Sequence, residues 1–432
     1  VEGGAVVKAK VFILTLVLAT SFLSGASALD WGGTVDNSTS LNYTGGGQWL
    51  QEDKLALWFS TPIGSSLEFT AQGSYTFSYT TPGAIEHILD VDLLHLQGTF
   101  LLGQAQSSQL TFRAGRFISS DMTALVLNDR IDGLAIDWIT AEATTTMSLG
   151  YTGLQWERVS TIGISRADNT DDDNLAPPRL IGSLQAQFPE FLLRQDFYAS
   201  FLFQKDLRPE GSDFSITGIG GKINSQYFGF AISGPITFSL YHDTFAFVGT
   251  GTVPSDISGI PDYATIVSLL SGVTLHYFID EFLTSKVELG LLFSSGDEDF
   301  TIVPEGYYEG NTVKRATVFV PISRQQLAVA FSPRLGNLII LDAGYSLKPT
   351  QNLQTSLKGI LFLRPTTGPI MDARSITSDS KYLGTELDGI ANFRPFSDLG
   401  ASLSLGLFLP MGGAFANQDI LFKGQLEISF SF

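Results

Sequence analysis

Ile420-Leu421-Phe422-Lys423-Gly424-Gln425-Leu426-Glu427-Ile428-Ser429-Phe430-Ser431-Phe432 alternates without a break to the end of the chain. Every even position from Ile420 to Phe432 is apolar or glycine, while Lys423, Gln425, Glu427, Ser429 and Ser431 occupy the odd ones. Successive side chains of a β-strand point to opposite faces, so one face of this strand suits lipid and the other suits water. A strand of a soluble sandwich alternates in the same way. It rarely stops, however, on an aromatic carboxyl terminus with Phe430 and Phe432 together on the apolar face.

Working outward from this strand, the same pattern recurs in Leu67 to Tyr79, Leu110 to Phe117, Phe197 to Lys205, Val287 to Ser294, Leu338 to Leu347, Leu353 to Leu363, Leu383 to Phe393 and Leu399 to Leu409. Each is about ten residues long, the length of a tilted strand crossing hydrocarbon. Past Leu23 no uninterrupted apolar run is long enough for a transmembrane helix, although 44% of the residues are hydrophobic. In a membrane barrel only every second residue meets lipid, and the backbone is satisfied between strands closed on themselves. The pattern predicts an all-β transmembrane antiparallel β-barrel. Single-chain bacterial barrels have an even number of strands, so about twenty candidate segments give a count of 18, with 16 and 20 as alternatives. The terminal strand resembles the last strand of outer-membrane β-barrels. That resemblance implies outer-membrane lipid as surroundings and the barrel-insertion machinery as a partner, engaged through the strand that ends in Phe432.

At the other end, Lys8 and Lys10 precede an apolar run from Val11 to Leu23, followed by Ser24-Gly25-Ala26-Ser27-Ala28. A positive n-region, a short apolar stretch and an Ala-x-Ala site predict a secretory signal peptide at 1–28 and a single barrel domain at 29–432. The chain has no cysteine, which removes disulfides and thiolate metal sites and suits passage through an oxidising periplasm. The net charge of −18 becomes one unit more negative once Glu2, Lys8 and Lys10 leave with the signal peptide. Nucleic acid, whose phosphates need a basic surface, is not an expected partner.

The connections sort by length. Lys348-Pro349-Thr350-Gln351-Asn352 and Arg394-Pro395-Phe396-Ser397-Asp398 are short and should face the periplasm. Arg166 to Pro178, Gly249 to Asp262, Gly296 to Asn311, Pro365 to Ser380 and Met411 to Asp419 are longer and polar, and should be extracellular. No long segment without strand alternation stands where an energised receptor would carry its plug, so energised uptake is not expected. The acidic runs at Asp168-Asn169-Thr170-Asp171-Asp172-Asp173 and Asp297-Glu298-Asp299 lack the spacing and glutamate of an EF-hand loop and read as solvated loop tips.

Phe112-Arg113-Ala114-Gly115-Arg116-Phe117, then Asn128-Asp129-Arg130-Ile131-Asp132-Gly133-Leu134, and later Tyr382-Leu383-Gly384-Thr385-Glu386-Leu387-Asp388 form a set. They resemble the Gly-Arg, Arg-x-Asp-Gly and Leu-Gly-x-Glu-x-Asp segments of the alginate-export type porins. The resemblance covers a small part of the chain and implies a wide, one-piece barrel with an aqueous lumen crossed by charged side chains. It does not extend to substrate, because a polyuronate channel should line its lumen with an excess of arginine and lysine, and this chain is acidic.

Charge on a barrel's inner face is hydrated, whereas Lys or Arg facing lipid at mid-bilayer costs about 2–4 kcal/mol. Alternation therefore assigns Glu386, Asp388 and Arg394, then Lys423 and Glu427, to the lumen, with Asp342 and Lys358 on earlier strands. Arg113 is inward by the same rule. Arg116 is out of phase with it, as are Arg130 and Asp132, and these four are the candidates for an ion-pair network at a constriction. Such charges either set a selectivity field or bridge neighbouring strands. Trp31, Trp49, Trp58, Trp138 and Trp156 read mainly as girdle residues. The scattered His87, His95, His242 and His276 fit no metal or catalytic spacing, so no enzyme activity, cofactor or metal is expected. The function these residues support is passive diffusion of small hydrophilic solutes or ions, with a weak cation preference. A substrate-specific channel for an oligosaccharide or organic acid, or a barrel-anchored surface protein, is the alternative.

Overall fold

The computed structural model describes residues 29–44, 46–103, 107–164, 174–208, 222–257, 260–279, 282–302, 308–311, 315–372 and 374–432. The expected signal peptide at 1–28 and the acidic run at 168–173 lie outside the described residues. In chain order the strands are β1 (Asp30–Tyr43), β2 (Gly47–Ile63), β3 (Leu67–Thr80), β4 (Ala84–Leu102), β5 (Ser108–Ser120), β6 (Asn128–Ile139), β7 (Thr144–Tyr151), β8 (Arg179–Leu192), β9 (Gln195–Asp206), β10 (Asn224–Pro235) and β11 (Leu240–Ile257). There follow β12 (Ile260–Ile279), β13 (Ser285–Ser294), the short β14 (Phe300–Ile302), β15 (Tyr308–Asn311) and β16 (Arg315–Ala316), then β17 (Leu338–Thr350), β18 (Leu353–Leu363), β19 (Tyr382–Phe396), β20 (Leu399–Pro410) and β21 (Leu421–Ser431).

Each long strand pairs antiparallel with its neighbour in sequence, β13 pairs with β17, and β1 pairs with β21 from Thr34 against Ser431 to Tyr43 against Phe422. With β14, β15 and β16 confined to one long connection, the wall among the described residues is a closed barrel of 18 strands. Closure removes the sheet edges that hydrocarbon cannot satisfy.

The alternation read from the terminal strand runs around the wall. Phe430, Val35, Leu55, Tyr75 and Leu89 stand in register on five adjoining strands, all exposed. In water such a row would be an aggregation surface; against lipid chains it is solvated. Trp31, Trp49 and Trp138 are likewise exposed near strand ends, where girdle residues belong. Trp58 is half-buried instead, and Trp156 donates to the Leu89 carbonyl.

One rim carries the short turns 64–66, 140–143, 193–194, 236–239, 351–352 and 397–398 together with the start of β1 and the end of β21. The opposite rim carries 121–127, 152–178, 207–223, 295–337, 364–381 and 411–420. The short-turn rim is the periplasmic one. One expected loop is not a loop: β11 and β12 continue through most of 249–262, paired as far as Ile257 with Ile260. The reason is apolar. Val253, Ala264 and Ile266 are buried in one cluster with Ala316, Val318 and Val320 of the long connection, so the hairpin has something to pack on above the wall.

Gly33, beside the closing seam, has no room for a side chain: a Cβ there would come within 2.6 Å of the Phe432 ring and 2.8 Å of the Ala56 carbonyl oxygen. Gly33→Leu should therefore cost about 1–3 kcal/mol in overpacking and weaken the seam hydrogen bonds between Gly33 and Phe432. We expect a lower folded fraction by heat-modifiable electrophoretic mobility, with Gly33→Ala less affected.

Candidate functional site: a lumen narrowed by an inserted loop

The connection between β13 and β17 does not stay outside. Its segment Thr317-Val318-Phe319-Val320-Pro321-Ile322, continuing to Leu335, is apolar enough to be buried, and the barrel interior buries it. Phe319, Ile322 and Leu335 pack with Ile181, Leu202, Tyr227, Phe247 and Leu270 of β8 to β12, and with Val126 and Leu127 of the connection after β5. Farther along, Ala328 and Phe331 pack with Ile340, Ile360, Phe362, Leu383 and Phe408 of β17 to β20. The Phe331 ring stacks on Phe408 at 4.1 Å between centroids and meets Phe362 edge-on at 4.9 Å. A water-filled lumen would not carry Leu202, Phe247, Leu270, Ile340, Phe362 and Phe408 on its inward face. That misplaced apolarity was the sequence signal for the inserted loop.

A loop inside a barrel has backbone N–H groups with no strand to pair with, and each left unsatisfied would cost about 1–3 kcal/mol. Buried carboxylates of the wall accept them. The two Glu386 carboxylate oxygens accept from the N–H of Ala330 at 2.6 Å and of Phe331 at 2.9 Å, and Asp388 accepts from that of Val329 at 3.2 Å. The loop rests here on Gly406, where a Cβ would meet Val329 at 2.7 Å and the Ala330 nitrogen at 2.8 Å. Asp121 and Asp129 repeat the device at smaller scale. Asp121 accepts from the N–H of Thr123, Val126 and Leu127, and Asp129 from those of Thr161 and Ile162 and from the Ser160 hydroxyl.

The fold of the 364–381 connection depends on Arg364. Its guanidinium is fully buried and donates to the carbonyls of Gly368, Ile376, Ser378 and Ser380. Burial pushes it below its ordinary value. Asn337, also buried, ties this connection to the inserted one by donating to the Gly368 and Pro369 carbonyls and accepting from the Thr366 hydroxyl.

The structure sorts the charged candidates by what they contact. Glu386 and Asp388 do face inward, but they are 0% and 5% exposed beneath the loop, so they hold it rather than line an open pore. Arg116, Arg130 and Asp132 have the outer-face parity and turn into the wall rather than line an open pore, which corrects their assignment as pore-lining: on β6, Arg130 and Asp132 share a parity with the exposed Leu134, Ile136 and Trp138. The physical reason is a split in the wall. Pairing of β4 with β5 ends at Leu94 against Arg116, after which β4 follows β3 and β5 follows β6. Charges fill the split: Arg116 makes two 2.8 Å bonds to Asp132, Arg130 reaches Asp90 at 2.9 Å and Asp92 at 2.7 Å, and Lys54 approaches Asp92 at 3.5 Å. The 152–160 segment closes over it, with the Leu154 carbonyl accepting from Arg116 and Gln155 donating to the Arg130 carbonyl. Asp90 and Asp92 were missed in the sequence because the bulge between Gln72 and Gly73 shifts the parity of β4.

Arg113 faces the interior and pairs with Asp137 at 2.9 Å in a cavity of about 290 Å³ that also involves Ser148, Gln187 and Tyr198. Asp342 and Lys358 pair at 3.0 Å, joined to Glu288 at 3.7 Å from Lys358, and Glu288 takes a 2.8 Å contact from Lys286. Arg394 sits at the periplasmic rim and donates to the Ser397 carbonyl. Lys423 and Glu427 lie on the inward face of β21, where Gln425 donates to Glu427.

Among the described residues, none of the buried apolar clusters includes a residue of β1 to β4. On that side the inward face stays polar, with Asp36, Ser38, Glu52, Lys54, Gln72, Ser74 and Thr76 adjoining Gln425 and Glu427. Between this wall and the inserted loop lies a cavity of about 550 Å³ lined by Asn42, Thr44, Arg324, Gln325, Gln326, Asp372, Arg374 and Lys423. Among the described residues no group of three or more His, Asp or Glu side chains is placed to hold a metal ion.

An 18-stranded antiparallel barrel sealed by its terminal strands, with a long connection folded inside, defines a porin-type β-barrel. Solved structures share it. The chain is similar to OccK8 (OprE) of Pseudomonas aeruginosa, with a TM-score of 0.58 and 10% identity over 94% of this chain and 98% of that one. It is similar to OccK5 (OpdH) of the same organism with a TM-score of 0.57, 10% identity and the same coverage. The outer membrane protein opdK, also from Pseudomonas aeruginosa, matches with a TM-score of 0.56 and 10% identity over 94% of this chain and 99% of its own. No protein-family model matches the chain, and no curated protein matches its sequence. At this identity the likeness is one of fold.

If Glu386 holds the loop in place, Glu386→Ala should strand two backbone donors and loosen the 317–336 segment at a cost of about 2–5 kcal/mol. We expect faster trypsin cleavage after Arg324 and Arg334 in the folded barrel, and a higher or noisier single-channel conductance. Glu386→Gln, which keeps acceptor capacity, should be milder.

Proposed function

We propose that this protein is a passive channel of the outer membrane for small hydrophilic solutes and ions, weakly selective for cations. The observation that carries this reading is the polar inward face of β1, β2 and β3 with the periplasmic half of β21, which lies outside the apolar clusters that hold the inserted loop against the other strands. Solutes pass between that wall and the loop. Fixed charge of both signs stands at the extracellular cavity, where Arg374 is paired with Asp372 at 2.8 Å. Periplasmic of Lys423 on the same inward face stand Asp36 and Glu427, which bias the path toward cations.

The ion pairs of the lumen, Arg113 with Asp137 and Lys358 with Asp342, fix strand register and leave little free field of either sign. The alginate-export resemblance contributes to this reading only a one-piece barrel with a charged interior; polyuronate is not part of it. One of the solved structures that share the fold is described as an outer membrane protein, in keeping with the membrane setting of this proposal. Delivery follows the signal peptide at 1–28 and insertion through the strand ending in Phe432.

Reconstitution of the refolded barrel in planar bilayers across a salt gradient tests the proposal. Stable openings with a cation-signed reversal potential are expected, and Asp36→Lys with Glu427→Lys should lower the cation-to-anion permeability ratio. A correctly folded barrel that never opens would overturn it.

A further inference from the structure

On the periplasmic rim, three successive turns differ from the rest. Turn 193–194 with its flanks carries exposed Phe191, Leu192 and Leu193; turn 236–239 carries exposed Ile236 and Phe238; the turn before β13 carries exposed Phe282 and Leu283. Leu193 is 86% and Phe238 99% exposed, values that water alone would not favour for three neighbouring turns. Elsewhere on the same rim the turn residues themselves are polar or small, as in Gly64-Ser65-Ser66, Thr140-Ala141-Glu142-Ala143, Gln351-Asn352 and Ser397-Asp398, although exposed Leu101, Leu102 and Phe396 flank two of the turns. The apolar turns therefore belong to one side of the barrel.

On two strands above them, β9 and β10, the outward apolar stretch is shorter than on β8 (Leu180 to Phe188) and β12 (Val267 to Tyr277). On β9 the outward face is apolar from Phe197 to Phe203 and ends at exposed Lys205, outward because Gln204 and Asp206 beside it are buried. On β10 the outward face is apolar from Ile232 back to Phe228 and ends at exposed Gln226, between the buried Ser225 and Tyr227. A crossing strand needs about 9–11 residues, more than either stretch supplies. On these two strands the turns lengthen the apolar surface, with Gln195 and His242 between belt and turn bonded to each other. The aromatic surface is also continuous across the boundary: Phe191 of the turn lies 5.5 Å from Phe197 and 6.0 Å from Phe188, and Phe197 lies 6.3 Å from Phe230 of the belt.

We propose that these three turns are seated in the periplasmic leaflet and anchor this side of the barrel in lipid. The occupant of the exposed apolar turns is the acyl and glycerol region of phospholipid, continuous with the belt through Phe191 and Phe197. Arg194, exposed at the tip beside Leu193, is placed to meet lipid phosphate. The inference rests on the membrane reading of the barrel, and the experiment separates the two.

The chain has no cysteine, so single-cysteine variants report one position each. Leu193→Cys and Phe238→Cys would be labelled with an environment-sensitive fluorophore in vesicles of phosphatidylethanolamine and phosphatidylglycerol, beside Ser65→Cys and Gln351→Cys on the polar turns and Phe228→Cys in the belt. Expected is strong quenching by acyl-chain nitroxide lipids and protection from aqueous iodide at 193, 238 and 228, with the reverse at 65 and 351. Iodide access at 193 and 238 equal to that at 65 and 351, with 228 still quenched by lipid, would overturn the anchor and leave the membrane reading standing. Iodide access at 228 as well would overturn both. Hydroxyl-radical footprinting of the unsubstituted protein supplies a check free of variants: Phe238 should be several-fold less oxidised in vesicles than with the barrel unfolded in denaturant, and equal oxidation would overturn the proposal.

Discussion

Everything inside this barrel depends on how backbone N–H groups are satisfied away from any strand ladder. The wall solves that problem by closure, each strand pairing with two neighbours and β1 sealing to β21. The connections folded into the lumen have no such ladder. They rely on side-chain acceptors projecting from the wall and from their own hinges, chiefly Glu386, Asp388, Asp121 and Asp129. A carboxyl group suits this task because each of its oxygens can accept a hydrogen bond, so one side chain serves two backbone donors. Once the backbone is satisfied, apolar burial can hold the loop, with Phe319 and Phe331 each at the centre of its own cluster.

The same economy of polar groups explains the divided wall. Where β4 and β5 part, two strands lose a partner on one side, and the gap would expose unpaired backbone at membrane depth. Arginine fills it well, because a planar fork can serve a carboxylate and a carbonyl at once. Arg116 does so, donating to Asp132, to the Val91 carbonyl and to the Leu154 carbonyl. The covering segment adds Trp156, which donates to Leu89. The Gly-Arg and Arg-x-Asp-Gly segments are thus wall-building elements, and their charges are paired across the split rather than across a pore.

In the proposed channel, filling one side of the lumen leaves the other side as the path. The inserted loop leans on β8 to β12 and β17 to β20 because their inward faces are apolar in the extracellular half. It leaves β1 to β3 and β21 with hydroxyl, amide and carboxylate groups facing the space that remains. Outside, the periplasmic turns beneath β8 to β13 carry large apolar residues at their tips, as Leu193, Phe238 and Phe282 show.

Alternation alone determined the barrel, its approximate strand count and the lumen face of the late strands, because a two-residue period is local and membrane thickness sets strand length. Glu386, Asp388, Lys423 and Glu427 were assigned to the correct face on that basis. What those residues do was decided only by tertiary structure. Whether an inward carboxylate meets water or a loop's N–H depends on where a segment some 56 residues distant in sequence comes to lie, as the 330–386 separation shows. The faces of Arg116, Arg130, Asp132, Asp90 and Asp92 depended on one bulge and on the parting of two strands. A single inserted residue reverses every later side chain of its strand, and no local pattern records the strand that has left.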